Sequence, residues 1–320
     1  MNARGISAVL AATAAVVGVL ALSASALADD PADPVIALAG DIACKSPTVG
    51  SNCHQQLTAN LISSRLATLD SVFTLGDNQY PCGALSDFMN SYNRSWGAFL
   101  NKTHPGVGDQ DIGDSGSCKG KPSNGYLAYF GARAQPNGRD LYYYVDIAGT
   151  GSSTAAWRVI VLNGNCSSVP CSAGSAQEEF LKSTLASTPS GSCIMAVWHQ
   201  PYFRGSTLTP NKSYKAFWTD LYAAHAALVM NGHNHFYERY VPQNPTGASD
   251  PAGGITEIIA GTGGVNHGTA KVISPNTAFY DHTHFGVTFV TLHPTSFAWQ
   301  FVSDTGQVID SGSRACTPVA

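Results

Sequence analysis

Three aspartates and three histidines in the 320-residue chain have the types and settings of metal ligands: Asp41, Asp77, Asp109, His199, His233 and His235, with Tyr80 one turn beyond Asp77. Most of them follow a short apolar run, and four adjoin a glycine, in Gly40-Asp41, Gly76-Asp77, Gly108-Asp109 and Gly232-His233. Carboxylates and imidazoles are hard to borderline donors that suit first-row divalent ions or iron, whereas calcium would take oxygen throughout. A central Asp can bridge two such ions about 3.5–4 Å apart, the arrangement used for in-line displacement at phosphorus. Read singly, an Asp after Gly is more often a turn or cap residue, and a lone Tyr a half-buried core residue. His233-Asn234-His235 resists that reading, because strand spacing puts both imidazoles on one face.

Bringing such groups together requires elements that end at one edge. Residues 35–39, 71–75, 158–162, 194–197 and 226–230 are short apolar runs that predict buried strands, each ending in a polar cluster. Helical stretches are expected over 55–69, 85–100, 175–185 and 214–224. Beyond Phe236 the pattern turns β-rich, over 255–260, 285–292 and 296–302, while 145–151 and 188–192 read as loops. Continuous apolar strands alternating with helices predict a layered α/β fold, and such folds bind ligands outside the carboxyl ends of their strands. The adjacent Glu238-Arg239 reads as a structural ion pair. Tyr126, Tyr129, Phe130 and Tyr142, Tyr143 and Tyr144 read as core or rim aromatics.

Composition narrows the class. The chain is 44% hydrophobic and only 12% charged, which excludes disorder as its general state. Its 32 Gly and 17 Pro exclude a coiled coil, and a net charge of −4 without a basic run argues against a stable nucleic-acid partner. Residues 1–28 have the form of a signal peptide: Arg4 near the start, an uncharged apolar run from Ile6 to Leu22, and a small-x-small end at Ala26-Leu27-Ala28. Cleavage there would leave residues 29–320 as one domain of 292 residues with 16 bases and 21 acids, exported and free of the membrane. An exported chain with eight cysteines is expected to be disulfide-bonded. Cys44/Cys53 and Cys166/Cys171 are near neighbours that would each staple a loop, leaving Cys82/Cys118 and Cys193/Cys316. Eight cysteines allow roughly a hundred connectivities, so spacing alone does not decide the pairing.

The ligand-like blocks also fall in a known order. Gly40-Asp41-Ile42, Gly76-Asp77-Asn78-Gln79-Tyr80, Gly108-Asp109-Gln110-Asp111, Trp198-His199 and Gly232-His233-Asn234-His235 resemble the GDxx, GDxx, GNH(D/E), lone His and GHxH blocks of the calcineurin-like metallophosphoesterases. The purple acid phosphatase-like branch is the most similar, since Asp77 and Tyr80 form its D-x-x-Y and residues 232–239 resemble its GHxHxYER segment. The similarity continues through Gly261-Thr262-Gly263-Gly264 and Leu292-His293-Pro294-Thr295-Ser296.

That resemblance implies a four-layer α-β-β-α sandwich with two mixed β-sheets. It implies a dinuclear centre, Fe(III) with Zn(II), Fe(II) or Mn(II), at which a metal-bound hydroxide attacks a small phosphomonoester. Asp41, Asp77, Tyr80 and His235 would hold the first ion. Asp77 would bridge to a second held by Asp109, His199 and His233. Asp77, Asp109, Gln110 and His199 would occupy the catalytic positions.

Two departures bear on activity. Asp109 stands where the family has Asn and remains a competent oxygen ligand. Gln110 stands where the family has its catalytic His, and an amide can donate a hydrogen bond but cannot deliver a proton to a leaving alkoxide. General acid help is worth about 10²–10⁴-fold, so activity restricted to good leaving groups is expected unless His104, His267, His282 or His284 takes over. The alternative is a degenerate member that binds metal or phosphate and hydrolyses little. Ala43 replaces the DxH histidine of the wider superfamily, a change that fits the branch in which Tyr80 supplies a ligand.

Overall fold

The computed structural model describes residue 1 and residues 33–114, 116–118, 121, 123–138, 140–149, 155–205 and 208–320. Apart from Met1, the expected signal peptide over 1–28 lies outside the described residues. The chain begins β1 (Val35–Ala39), α1 (Gln55–Ser63), β2 (Leu69–Leu75), α2 (Leu85–Asn90), β3 (Thr103–Gly106) and α3 (Gly125–Phe130). It continues β4 (Tyr143–Ala148), β5 (Ala155–Val161), α4 (Ala176–Ala186), β6 (Cys193–Val197), α5 (Lys215–Ala223) and β7 (Leu228–Asn231). Six strands close it: β8 (Tyr237–Tyr240), β9 (Thr256–Ala260), β10 (Thr277–Asp281), β11 (Gly286–His293), β12 (Ser296–Ser303) and β13 (Val308–Ala315).

Two mixed sheets result. One has the order β13-β12-β11-β1-β2-β3 and the other β10-β8-β9-β7-β6-β5-β4. In the first, β1, β2 and β3 are parallel while β11 runs antiparallel to β1. In the second, β5, β6, β7 and β9 are parallel, β4 and β8 run antiparallel to them, and β10 pairs antiparallel with β8. Strand alternation sorts the side chains into layers. Ile36, Leu38 and Phe73 meet Trp157, Met195 and Met230 between the sheets, whereas Ala37, Ala39 and Val72 turn outward against Ile62 of α1 and Phe88 of α2. On the far side, Ile194 and Val229 pack with Leu181 of α4 and Trp218 of α5. The architecture is therefore α-β-β-α, as the motif order implied. Burying one such apolar side chain is worth about 1.5–3 kcal/mol, so apolar packing supplies most of the cohesion between the layers.

The four disulfides are Cys44–Cys53, Cys82–Cys118, Cys166–Cys171 and Cys193–Cys316, the two near neighbours in sequence and the two pairs that they leave. Cys193–Cys316 ties the start of β6 to the residue after β13, across 123 positions of sequence. Among the described residues no helix is long and apolar enough to cross a membrane.

Several expectations need correction. Residues 145–148, expected in a loop, belong to edge strand β4, and residues 150 and 151 of that stretch lie outside the described residues. Its buried and exposed residues alternate because only one face packs, and Asp146 faces Arg158 of β5 at 2.7 Å. The helix expected over 55–69 stops at Ser63. There the Ser64 and Thr68 hydroxyls donate to the carbonyls of Leu61 and Arg65, local bonds that compete with helix continuation. The stretch 85–100 breaks into α2 and two short 3₁₀ segments, with Ser95 Oγ donating to the Ser91 and Tyr92 carbonyls at the break. Glu238 and Arg239 do not pair, since neighbours on a strand face opposite sides. Arg239 binds Asp310, and Glu238 Oε1 accepts from Thr277 Oγ1 at 2.6 Å.

Candidate metal centre

The carboxyl ends of β1, β2, β3, β6 and β7 deliver Asp41, Asp77, Asp109, His199 and His233 to one edge, and His235 follows before β8 begins. The two sheets are joined there by backbone bonds, Gly40 N donating to Ala260 O and Gly263 N to Gly40 O. Asp41 (φ 59°), Asp77 (φ 49°) and His233 (φ 68°) all adopt left-handed backbone. Such conformations cost free energy for non-glycine residues and concentrate at functional sites. Gly76 has φ 86°, and a Cβ there would stand 2.5 Å from His199 Nδ1. At Gly108 a Cβ would fall 2.1 Å from the Asp77 backbone nitrogen. Glycine is thus required on both sides of Asp77 for the side chains to converge.

All seven sequence-predicted ligands come together, in two groups. In the first, the Tyr80 hydroxyl lies 2.7 Å from Asp41 Oδ1, 2.7 Å from Asp77 Oδ2 and 3.0 Å from His235 Nε2, and His235 Nε2 is 3.1 Å from Asp41 Oδ1. In the second, His199 Nε2 lies 3.3 Å from Asp77 Oδ2 and 3.2 Å from Asp109 Oδ1, with His233 Nδ1 3.3 Å from Asp109 Oδ1. Asp77 Oδ2 is common to both groups. The other oxygens are anchored by backbone: Gln110 N donates to Asp77 Oδ1 at 2.8 Å, and His233 N to Asp41 Oδ2 at 2.7 Å.

Outer contacts orient the imidazoles. His199 Nδ1 donates to the Leu75 carbonyl and His235 Nδ1 to that of Asn266, each at 2.8 Å, so each Nε2 turns inward. His199 is fully buried, yet its Nε2 has no hydrogen-bond partner. Tyr80 has one proton and two carboxylate oxygens in reach. A buried, unpartnered imidazole nitrogen and convergent carboxylates sharing one oxygen form a donor set that fits two cations. Asp109, His199 and His233 form one candidate metal group and Asp41, Asp77 and His199 another, each with ligand atoms within 4.8 Å of one another.

The electrostatics have the same origin. Burial alone would raise Asp41, but the charge and hydrogen bond of His235 outweigh it and hold that carboxyl below its ordinary range. Burial would likewise raise Asp109, and the adjoining imidazoles of His199 and His233 pull it far down. His235 loses basicity to burial and regains more from Asp41, reaching about 9. Tyr80 is pushed well up by burial and then by Asp41 and Asp77. The carboxylates therefore stay charged and require positive charge between them. His233 exposes 41% of its side chain, which marks the open side of the cluster.

Some parts were not read from the sequence. Asp111, fully buried, accepts from the backbone nitrogens of Asn78, Gln79 and Gly108 and from Asn78 Nδ2, fixing the loops on both sides of Asp77. Burial and the nearby Asp77 lift it to about 7. Gln200 Nε2 reaches Asp109 Oδ1 at 3.4 Å while its Oε1 accepts from the Tyr214 hydroxyl at 3.1 Å; its place next to His199 was the available signal. Gln110 Oε1 accepts from the Cys82 nitrogen at 3.4 Å and lies 3.0 Å from Cys118 Sγ, so its amide oxygen is turned toward the Cys82–Cys118 disulfide. Of the four other histidines considered, His104 stacks on Phe73, His282 on Tyr280, and His284 pairs with Asp281. His267 stacks on Phe285 one residue beyond Asn266, the partner of His235.

Residues 254–311 match the family described as iron/zinc purple acid phosphatase-like protein C. No curated protein sequence matches the chain. A purple acid phosphatase from yellow lupin (Lupinus luteus) seeds is similar in structure, with TM-score 0.65 and 17% identity, over 88% of this chain and 53% of that one. The chain thus spans about half the length of the lupin protein. GAP50, the anchor in the inner membrane complex of Plasmodium, is similar with TM-score 0.65 and 16% identity over 90% of both chains. A dimetal phosphatase from Danio rerio gives 0.56 and 12%, over 90% of this chain and all of that one. At these identities the likeness establishes the fold. With the matched C-terminal segment, it supports placing the chain in the metallophosphoesterase superfamily.

Proposed function

We propose that this chain of metallophosphoesterase fold is an exported, metal-dependent phosphatase that hydrolyses small phosphomonoesters. The observation that carries this reading is the position of Asp77 Oδ2, shared between a Tyr80/Asp41/His235 group and a His199/Asp109/His233 group. Asp41, Asp77, Tyr80 and His235 would hold one cation, and Asp77, Asp109, His199 and His233 the other. Iron(III) with zinc, iron(II) or manganese is the pair in keeping with a phenol in one group. When bound, such a pair supplies an activated water near neutral pH and stabilises charge on the phosphoryl oxygens.

The chain's own residues supply the rest. Leu75 O and Asn266 O hold the imidazoles in the tautomer that presents Nε2. The Gln110 nitrogen fixes one Asp77 oxygen so that the other is presented to both groups. His233, at the open side, is the first ligand a phosphate ester would meet. Four disulfides support the exported setting.

A second reading, a metal- or phosphate-binding protein with little turnover, rests on Gln110, whose amide oxygen faces a disulfide and which has no proton to transfer. One experiment separates the two. Protein purified with two metal ions per chain, by elemental analysis, is expected to hydrolyse an activated aryl phosphate, and a visible tyrosinate-to-iron band lost in Tyr80→Phe would identify the first ion. No hydrolysis with either iron–zinc or manganese loading would favour the binding protein. Gln110→His is then the refinement: faster turnover on poor leaving groups assigns the missing proton to this position, and no change places the acid elsewhere.

A further inference from the structure

Helices α4 and α5 each bring a carboxyl to one cavity of about 590 Å³, whose lining includes Glu178, Asp220 and the Cys166–Cys171 disulfide. Glu178 is only 4% exposed, and Asp220 is half-buried. Asp220 Oδ2 is itself buried, and among the described residues no N–H or hydroxyl donates to it. What Asp220 meets is the Glu178 carboxyl, and the two are hydrogen-bonded to each other. Ionised carboxylates are acceptors only, so a bond between two of them requires a proton on one.

The surroundings decide which of the two carries it. Glu178 Oε2 accepts from the Gly174 nitrogen at 3.1 Å, and its Oε1 lies 3.6 Å from Lys182 Nζ. Its place in the first turn of α4 also favours a negative charge. Burial would raise its carboxyl, but the Gly174 N–H and then Asp220 outweigh this and hold it below its ordinary range. Asp220 lacks a backbone donor of that kind. Burial, and then the hydrogen bond and charge of Glu178, lift it to about 6, with Glu179 adding to the rise and Lys182 opposing it. Asp220 is therefore the donor and Glu178 the acceptor. The other charged groups facing the cavity are Lys212 and Lys215, at the start of α5. Lys215 stands five residues before Asp220, about 7.5 Å along the helix axis.

We propose that Glu178 and Asp220 form a proton-operated clasp between α4 and α5, closed while the Asp220 carboxyl donates to Glu178 and released when Asp220 ionises and the two charges repel. The cavity beside them gives water a way to the second charge, so the release is local. Helix α5 begins one residue after Tyr214, whose hydroxyl braces Gln200 at Asp109, so the clasp stands behind an outer support of the candidate metal centre.

The test is a carbon-13 titration of the side-chain carboxyls in the full protein, with Glu178 and Asp220 assigned through the backbone. It reads the clasp directly and does not depend on the proposed hydrolysis. Asp220 is expected to titrate at about pH 6, in place of the ordinary value of about 3.9. A midpoint at the ordinary value overturns the proposal. A carboxyl whose folded pKa is raised gives stability that is complete below the unfolded value and is lost as pH rises through the folded one. Asp220→Asn keeps an N–H donor toward Glu178 at every pH. The urea midpoint of the wild type should therefore fall relative to that of the variant between about pH 4 and pH 7. A difference that stays constant over that range also overturns the clasp. If the variant does not fold, the wild-type titration decides.

Discussion

Two buried carboxylate clusters in this molecule are built to opposite ends. Asp310 on β13 is satisfied by the protein: its Oδ2 accepts from Arg239 Nε at 2.7 Å, the Tyr237 hydroxyl at 2.8 Å and Trp299 Nε1 at 3.0 Å, and its Oδ1 from Arg239 NH2 at 2.9 Å. Both carboxylate oxygens are taken up by these donors, and the guanidinium also lies 4.8 Å from the Trp299 ring centroid. At the strand ends, by contrast, Asp77 and Asp109 are anchored on one side only. Their inward oxygens face imidazole nitrogens at 3.2–3.3 Å, one of which has no partner. A carboxylate completed by donors from its own chain holds two sheets together. A carboxylate whose inward oxygen is left to imidazoles and a phenol is arranged for a ligand, and its strained backbone contributes nothing to cohesion.

The sharpest way to break that contrast is Asp77→Asn. The amide oxygen can still accept from Gln110 N, so the fold should persist, while the oxygen shared by both groups becomes a poor bridge. Hydrolysis is expected to fall by about 10³-fold or more, the upper range for losing one group that stabilises a transition state, with metal content dropping in elemental analysis. A variant that kept both its ions and its rate would show that Asp77 belongs with Asp310, as a structural acid.

Asp310→Ala is the counterpart. Removing one member of a buried pair strands the other, so Arg239 loses its compensation and the cost should be about 3–5 kcal/mol in denaturant unfolding, with metal content per folded chain unchanged. Loss of metal at low denaturant would instead mean that the two clusters are coupled.

Between these extremes lies Gln200, which braces Asp109 from Tyr214. Outer contacts of this kind typically cost about 10–100-fold in metal affinity when removed. Gln200→Leu should therefore weaken the second ion by that much in a chelator titration and leave the first unaffected. Equal weakening of both would place Gln200 in the general packing of the edge.

This contrast also explains what could be read from the sequence. The ligand-like residues were legible because their chemistry demands Asp, His and Tyr at strand ends, and β1 and β6 end where apolar runs give way to Gly40-Asp41 and Trp198-His199. Helices α4 and α5 lie within about a residue of the stretches expected over 175–185 and 214–224, and Ser175 caps α4 by accepting from the Glu178 nitrogen. The Asp310 cluster was invisible because Arg239 and Tyr237 lie 71 and 73 positions away, and the adjacent Glu238 offered Arg239 a local partner that strand geometry forbids. Strand β4 was missed for a different reason. As an edge with one face packed, it lacks the continuous apolar run that marks the buried strands. Asp111 looked like any acid in a loop; only the convergence of four N–H groups gives it a role.

The smallest effect tests whether Asp310 acts through its charge. Burial alone would raise its carboxyl, but the hydrogen bonds and charge of Arg239 outweigh that and hold it below its ordinary value. A carboxyl whose folded pKa is depressed contributes stability that is complete above the unfolded value of about 3.9 and is lost as pH falls through the lower folded value. Asp310→Asn keeps the size and one acceptor but gives up the charge, so at neutral pH it should cost about 1.5–3 kcal/mol, the range for a hydrogen bond to a charged group, and less than the Ala variant. The difference from wild type should stay flat down to about pH 5 and then close as the wild-type carboxyl takes up its proton. Both proteins share every other acid, so the difference isolates this group. A gap that stayed constant into strong acid would mean that the shape of Asp310, rather than its charge, holds Arg239, Tyr237 and Trp299 in place.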